Sequence, residues 1–294
     1  MSRRTLRTAD RKRQRDRPYP PDRLTTMTRP VTIKTFQNRR LSGEPITMLT
    51  AYDVLFARLF EEAGVDSILV GDSLGNVVQG LSTTLPVTVD DIIYHCRAVT
   101  RATSRVHVVA DMPFGSYGVS VEEGVRNGVR LMKEGGAHAV KLEGGAEMAP
   151  TIRALVTIGV PVMGHLGLTP QSVHAFGGFG VQGRSDTAAQ RMLDDALALQ
   201  DAGVYAIVLE MVPHTLAARI TEALAIPTIG IGAGNATSGQ VLVGYDMLGL
   251  NDGFKPRFLK HFAQLATTVR DAAATYVAEV GTRQYPAPEH SFED

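Results

Sequence analysis

The sequence predicts an α/β protein folded as a (β/α)8 TIM barrel, and three observations carry that prediction. From about residue 45 onward, short runs rich in β-branched residues alternate with longer segments of helical periodicity. Eight such runs occur over about 240 residues, which fits the repeat number and usual length of this barrel. Polar residues capable of chemistry stand at the ends of most runs instead of clustering after one of them.

A doubly wound open sheet is the main alternative for a chain that alternates strands and helices. That fold usually carries a glycine-rich turn after its first strand and binds its ligand at one switch point. Here the first run leads into Thr50-Ala51-Tyr52-Asp53, which contains no glycine. This turn and the dispersed polar residues favour the barrel.

The elements follow one another regularly along the chain. Thr88, with Asp91 three residues later, resembles a capping box at a helix start, and Gly64, Gly135 and Gly203 stand where helices should end. The predicted strands are 46–50, 67–72, 106–111, 138–143, 160–164, 204–210, 227–231 and 240–245. The predicted helices are 53–64, 88–102, 120–135, 146–158, 187–202, 213–224 and 256–280.

Two of the predicted strand-to-helix loops are long and rich in small residues. They follow the second strand (GNVVQGLSTTLPVT) and the fifth strand (LGLTPQSVHAFGGFGVQGRSD). Active sites of this barrel lie at the rim where such loops emerge, so we expect both loops to form lids over the site.

Residues 1–29 form a basic arm, and residues 30–294 form one catalytic domain that ends in a helix and a polar tail. The first 30 residues hold ten Lys or Arg and three Asp or Glu, with few apolar side chains to bury, so we expect disorder. A nucleic-acid-binding arm would need more aromatics than Tyr19, and a transit peptide would contain fewer acids. We favour a solvated tail and no nucleic-acid partner.

Cysteine usage and hydropathy exclude several classes of protein. The single cysteine, Cys96, supports neither a disulfide framework nor a zinc cluster, and its helical context (DDIIYHCRAVTRA) predicts a small core residue. No uncharged apolar stretch of about 18 residues and no signal peptide is present. We therefore expect a soluble, cytoplasmic protein with no membrane partner.

Three carboxylates end three successive predicted strands: Asp72 in SILVGDS, Asp111 in VHVVADMPF and Glu143 in HAVKLEGG. The carboxyl ends of parallel strands meet at one rim, so these side chains should lie close together. Hard divalent cations prefer such oxygen ligands. Each carboxylate alone could instead cap a helix or pair with a loop, but the three together favour a metal or substrate site.

Three further residues belong to the same predicted rim. Lys141 shares a strand face with Glu143, and a buried lysine there needs an anionic partner, either a carboxylate or the substrate. Glu210 ends YAIVLEMVP, where apolar neighbours favour a proton acceptor, although it could simply pair with a cation. His165 ends PVMGHLG and could position substrate, shuttle a proton or be structural.

Ten motifs follow one another between about residues 30 and 292. They are MLTAYD (48–53), LVGDSLGNVVQG (69–80), TLPVT (84–88), ADMPFGSY (110–117), VKLEGG (140–145), GHLGLTPQSV (164–173), VQGR (181–184), LEMVP (209–213), IGIGAG (229–234) and EHSF (289–292). In this order they resemble the ketopantoate hydroxymethyltransferase family, and only the basic arm lies outside the resemblance.

The resemblance implies an enzyme of pantothenate biosynthesis. Such an enzyme forms 2-dehydropantoate from 3-methyl-2-oxobutanoate, with 5,10-methylenetetrahydrofolate as co-substrate. The resemblance also implies that this chain takes only small-molecule substrates and forms a homo-oligomer, commonly a decamer in the family. The C-terminal helix and the EHSF tail would lie at a subunit contact.

The resemblance also implies roles for individual residues. Asp72, Asp111 and Glu143 match the Mg²⁺ site, and direct or water-mediated ligation by Glu143 stays open. Asp72, Ser73, Asp111 and Lys141 match positions that contact the keto acid, and Glu210 matches the general base. We add His165 to the substrate-binding residues from its position.

Two other functions compete with this interpretation. One is a Mg²⁺-dependent C–C lyase of the isocitrate lyase and phosphoenolpyruvate mutase group, whose members often carry a catalytic cysteine on a mobile loop. The helical context of Cys96 argues against it. The other is a non-catalytic barrel that holds an anion in the same cup and catalyses no exchange at C3.

Overall fold

The computed structural model describes residues 29–292. Eight parallel strands pair in sequence order, and the last pairs with the first, so the predicted closed barrel is confirmed. The strands are β1 (Ile46–Thr50), β2 (Ser67–Val70), β3 (His107–Asp111), β4 (Ala139–Glu143), β5 (Val162–Gly167), β6 (Ala206–Glu210), β7 (Thr228–Ile231) and β8 (Gly239–Leu242). Apart from Arg29, the predicted basic arm lies outside the described residues.

Helices surround the barrel, and the first of them covers the end opposite to the strands' carboxyl ends. They are α1 (Ile33–Ser42), α2 (Val54–Glu62), α3 (Leu74–Val77), α4 (Val89–Ala102), α5 (Val121–Lys133), α6 (Ala149–Thr157), α7 (Val173–Phe176), α8 (Asp186–Ala202), α9 (His214–Ala223), α10 (Gly244–Met247) and α11 (Leu265–Thr282). Short 3₁₀ turns occupy Ala146–Met148, Pro170–Ser172 and Pro288–His290. None of the helices within residues 29–292 is long and apolar enough to span a membrane.

Strand alternation decides which side chains enter the barrel. In β4, Val140 and Leu142 pack in the apolar cluster between strands and helices. Ala139 belongs instead to the cluster inside the barrel. Successive strand residues face opposite sides, so Lys141 and Glu143 share the inward face of Ala139. Five consecutive buried residues in β4 thus deliver two ionisable groups to the interior.

The predicted ends of α4 and α8 agree with the structure. The Asp91 N–H donates to Thr88 Oγ1, and the Thr88 N–H donates to the Asp91 carboxylate, so the capping box forms. Gly203 ends α8 with φ of 102°, a left-handed conformation that a residue without Cβ adopts at little cost. Cys96 is fully buried in α4, as its helical context predicted.

The helix prediction was wrong at the start of the last helix and missed four helices, of which α3, α7 and α10 have only four residues each. The last helix begins at Leu265 and not at 256, because 256–264 crosses the top of the barrel and Phe258 packs on Gly232 there. Helix α1 was not predicted at all. It shows little amphipathic patterning and buries only Phe36, so its sequence does not predict a helix.

Helix α1 covers the end of the barrel opposite to the strands' carboxyl ends. Its Phe36 ring packs edge-on against His107 and Tyr205, with centroid distances of 5.4 and 5.5 Å. His107 stacks on His138 and shares a 3.1 Å hydrogen bond with the Tyr205 hydroxyl. Burial, with a smaller contribution from His138, lowers the pKa of His107 to about 3.

This lowered pKa predicts a stability that falls with acidification. Between the ordinary histidine pKa of about 6.5 and the folded value, the unfolded chain binds a proton at His107 that the folded chain does not. The contribution is fully present above about pH 6.5 and is lost as the pH falls toward about 3. We expect His107→Gln to remove about 2 kcal/mol of the decrease in the free energy of unfolding between pH 7 and pH 5, as measured by urea titration.

The control for this experiment is His174→Gln, which changes an exposed histidine in the loop after β5. It should leave the wild-type pH dependence in place. An equally steep loss of stability in wild type and His107→Gln would contradict the assignment.

Candidate active site

The polar residues predicted to be functional all line one cavity at the carboxyl ends of the strands. They are Asp72, Ser73, Asp111, Lys141, Glu143, His165 and Glu210. The cavity has a volume of about 440 Å³, within the range typical of small-molecule sites. Four of the seven come from β3, β4 and β5, two follow β2, and Glu210 ends β6. The structure therefore brings together every residue of the predicted site.

Asp72 and Asp111 lie next to each other at one side of the cavity. The Asp72 N–H donates a 2.9 Å hydrogen bond to Asp111 Oδ2, and both residues are buried. Burial raises the pKa of Asp72 to about 8, with repulsion from Asp111 and Glu143 adding to it. A nearby positive charge would stabilise this carboxylate in its ionised form.

Lys141 supplies a positive charge inside the barrel. Its Nζ lies 2.7 Å from Asp111 Oδ1 and 3.3 Å from His165 Nδ1. Burial alone would lower the pKa of Lys141, but Asp111, Glu143 and Asp72 outweigh burial and raise it. The lysine is therefore charged, and its direct partner is Asp111 on the neighbouring strand, not Glu143 on its own strand.

His165 lies between two glutamates. Its Nδ1 is 3.4 Å from Glu143 Oε1 and its Nε2 is 3.4 Å from Glu210 Oε2, which are ion-pair distances without hydrogen-bond geometry. Burial and the charge of Lys141 oppose protonation, but the two glutamates outweigh them and raise the pKa of His165 to about 9. The imidazole thus lies between Glu210 and the acidic cluster, which consists of Asp72, Asp111 and Glu143.

The backbone around Glu210 is tightly constrained. Gly167, at the end of β5, pairs with Glu210, and a Cβ at Gly167 would lie 2.1 Å from the Glu210 carbonyl oxygen. Glycine is the residue that permits this approach, and its φ of 97° also favours it. Met211 adopts a φ of 49°, which costs energy for a non-glycine residue and often marks a functional strand end. The Glu210 side chain keeps 19% of its surface exposed toward the cavity.

Ser73 lies beside the two aspartates where α3 begins. Its hydroxyl shares a 2.8 Å hydrogen bond with the Tyr52 hydroxyl, and this bond orients the Ser73 side chain. A Cβ on Gly71 would lie 2.8 Å from Ser73 Oγ and 3.2 Å from Asp111 Oδ2. The close packing of this turn therefore leaves Ser73 and Asp72 little freedom to move.

Two buried residues of the acidic cluster were not predicted from the sequence. Gln171, in the loop after β5, donates through Nε2 to Asp72 Oδ2 at 2.9 Å and through its backbone N–H to Glu143 Oε2 at 3.1 Å. The Tyr117 hydroxyl donates to Gln171 Oε1 and accepts from the Glu143 N–H. Both residues stand within the motifs GHLGLTPQSV and ADMPFGSY, and this was the one feature of the sequence that could have drawn attention to them.

The opposite wall of the cavity is mainly apolar. Phe179 from the long loop after β5 and Met211 contribute to it. So do Phe254, Phe258 and Leu259, from the irregular segment before α11. The cavity thus has one charged side and one apolar side, which suits a small anion bound next to a flat organic group.

The donor set can be tested for its fit to a divalent cation. Within residues 29–292, no group of three or more His, Cys, Asp or Glu side chains is arranged to hold a metal ion. Mg²⁺, however, usually takes only one or two carboxylates and keeps several waters. Asp72 and Asp111 provide two adjacent, buried carboxylates with an unfavourable excess of negative charge. These two residues fit a Mg²⁺ site, and Glu143 lies in the same cavity with one oxygen near His165 and the other bound to the Gln171 N–H.

Comparison with known proteins adds an independent finding. A family model described as ketopantoate hydroxymethyltransferase matches residues 30–288. The 3-methyl-2-oxobutanoate hydroxymethyltransferase of Roseiflexus sp. (strain RS-1) is 58% identical over 260 residues, which cover 88% of this chain and 93% of the relative. The protein of the same name from Geobacter sulfurreducens is 54% identical over 266 residues, covering 90% of this chain and 100% of the relative.

Solved structures with the same fold are much more distant in sequence. A putative phosphonomutase from Burkholderia cenocepacia J2315 superposes with a TM-score of 0.62 at 17% identity, covering 82% of this chain and 98% of that one. A phosphonopyruvate hydrolase, solved with oxalate and Mg²⁺, gives 0.61 at 14% identity, covering 88% and 92%. At these identities the similarity shows the fold alone.

Proposed function

Since the chain belongs to the ketopantoate hydroxymethyltransferase family, we propose that its cavity converts 3-methyl-2-oxobutanoate into 2-dehydropantoate with a one-carbon unit from 5,10-methylenetetrahydrofolate. The observation that carries the proposal is the arrangement of all seven predicted polar residues around one cavity with an apolar opposite wall. The charged side suits the keto acid, and the apolar side suits a pterin ring. A cytoplasmic location stays a prediction.

Binding of the keto acid is assigned to the charged side. Lys141 would offset the carboxylate charge of the substrate, and the hydroxyl of Ser73 would donate to one of its oxygens. A divalent cation held directly by Asp72 and Asp111, which we expect to be Mg²⁺, would supply Lewis acidity that makes the C3–H of a 2-oxo acid easier to ionise. Glu143 would bind the same cation either directly or through a water molecule.

Glu210 is assigned as the base that removes the C3 proton. Its side chain is partly exposed to the cavity, and its Oε2 lies 3.4 Å from His165 Nε2. The electron pair of the broken C–H bond forms the new C–C bond to the one-carbon unit. Water supplies the oxygen of the new hydroxymethyl group, and tetrahydrofolate leaves.

The base assignment predicts a specific loss in Glu210→Gln. Exchange of the C3 proton of 3-methyl-2-oxobutanoate in D₂O, followed by NMR without folate, should slow by about 10²–10⁴-fold. The amide keeps the shape of the side chain but cannot accept the proton. Exchange at the wild-type rate in this variant would show that another group is the base. A barrel that only binds an anion would show no exchange even in the wild type.

Cation and folate dependence test the whole reaction. We expect formation of 2-dehydropantoate to require methylenetetrahydrofolate, to stop in EDTA, and to return when excess Mg²⁺ is added. A C–C lyase with this fold would act on its substrate without folate. Full activity in EDTA would contradict the assignment of Asp72 and Asp111 as cation ligands.

Self-association is proposed from the C-terminal helix. Helix α11 buries only Ala266, while Val269, Tyr276, Val277 and Val280 are 44–68% exposed along one face. Their spacing places them on the same side as Ala266. An apolar helix face of this kind is expected to be covered by another chain, and the family resemblance suggests a homo-oligomer that is commonly a decamer.

This proposal predicts that Val277→Glu lowers the oligomer size. Sedimentation velocity should show the wild type as an assembly of about ten chains and the variant as a smaller species, because a carboxylate would be buried at the contact. The control is Thr275→Glu, the same change on the opposite face of α11. A monomeric wild type, or identical sedimentation of all three proteins, would exclude α11 as a subunit contact.

A further inference from the structure

The amide of Gln171 is buried behind the charged side of the cavity, and both its NH₂ group and its oxygen are hydrogen-bonded. Its Nε2 donates to Asp72 Oδ2 at 2.9 Å and to the Met112 carbonyl at 3.0 Å. Its Oε1 accepts from the Tyr117 hydroxyl at 2.6 Å. A primary amide has two N–H donors and one oxygen, so this environment satisfies both ends of it.

The surrounding groups allow only one orientation of this amide. The Tyr117 hydroxyl accepts from the Glu143 N–H, so its single proton points to Gln171 Oε1. An amide rotated by 180° would place Oε1 against the Asp72 carboxylate and the Met112 carbonyl, which are both acceptors. Gln171 therefore presents a fixed donor to Asp72 Oδ2, and the other oxygen, Oδ1, stays available to a cation.

Gln171 also fixes a second carboxylate through its backbone. Its N–H donates to Glu143 Oε2 at 3.1 Å, so one residue contacts side chains that come from the ends of β2 and β4. Gln171 itself does not line the cavity, although Asp72, Glu143 and the neighbouring Pro170 do. It can influence bound groups only through the carboxylates that it contacts.

We propose that Gln171 is a positioning residue that orients Asp72 and Glu143 for cation binding, so that the loop after β5 forms part of the cation site. This inference rests on the proposed cation at Asp72 and Asp111. Groups that hydrogen-bond to metal ligands commonly change metal affinity by about 10–100-fold when they are removed. The loop carrying Phe179 and the cation site would then be held in place by the same side chain.

The variant that tests this is Gln171→Met, which keeps an unbranched side chain of similar length but removes both donors. We expect the Kd for Mn²⁺, used as a spectroscopic substitute for Mg²⁺, to rise by about 10–100-fold in titrations of the substrate-free enzyme by electron paramagnetic resonance. Excess cation should then restore most of the C3 exchange rate, because Gln171 does not contact the substrate.

The matched control is Gln182→Met, the same change in the same loop. The Gln182 side-chain amide donates to the Gly180 carbonyl at 3.0 Å and makes no hydrogen bond to the carboxylates of the described residues. We expect its Mn²⁺ affinity to equal that of the wild type. The thermal midpoint of each protein, measured without cation, separates a loss of folding from a loss of binding.

A second variant covers the case in which Gln171→Met does not fold. Gln171→Glu keeps the length and an acceptor for Tyr117 but places an oxygen against Asp72, so its Mn²⁺ affinity should differ from the wild type by at least 10-fold. Unchanged Mn²⁺ affinity in a folded Gln171 variant would overturn the inference and leave the proposed function intact. A wild type that binds no Mn²⁺ would overturn the proposed cation site itself.

Discussion

The ion pair between Lys141 and Asp111 is the interaction on which the rest of the site depends. Burying one charged group in a barrel is costly, and burying several of the same sign is more so. The 2.7 Å contact between these side chains offsets part of that cost and places a positive charge among Asp72, Asp111 and Glu143. Without it, the three carboxylates would repel one another more strongly, and protonation would be favoured.

From this pair, a continuous chain of polar contacts crosses the cavity. Lys141 Nζ lies 3.3 Å from His165 Nδ1. The two nitrogens of His165 lie 3.4 Å from Glu143 Oε1 and from Glu210 Oε2. Gln171 then connects Glu143 to Asp72. The proposed base and the proposed cation ligands are thus parts of one electrostatic unit, in which a change of charge at any member affects the others.

The sequence was sufficient to predict the barrel and the common rim of its strand-end carboxylates, because both depend on local patterns. A residue at the carboxyl end of a parallel strand reaches the common rim whatever its long-range partners are, so Asp72, Asp111, Glu143 and Glu210 could be placed together in advance. Gln171 could not, because its importance comes from contacts 28 and 99 residues away in the chain. Helix α1 and the start of α11 were missed since tertiary packing, not periodicity, determines them.

The apolar wall and the acidic cluster have different structural origins, and this separation has a consequence for substrate preference. Phe254, Phe258 and Leu259 belong to an irregular segment that lies over the barrel without pairing to any strand. Gly167, in contrast, sits where β5 and β6 nearly touch, and even one methyl group would push the Glu210 backbone away. Related enzymes could therefore acquire new co-substrates by changing the covering segment while the chemistry underneath stays the same.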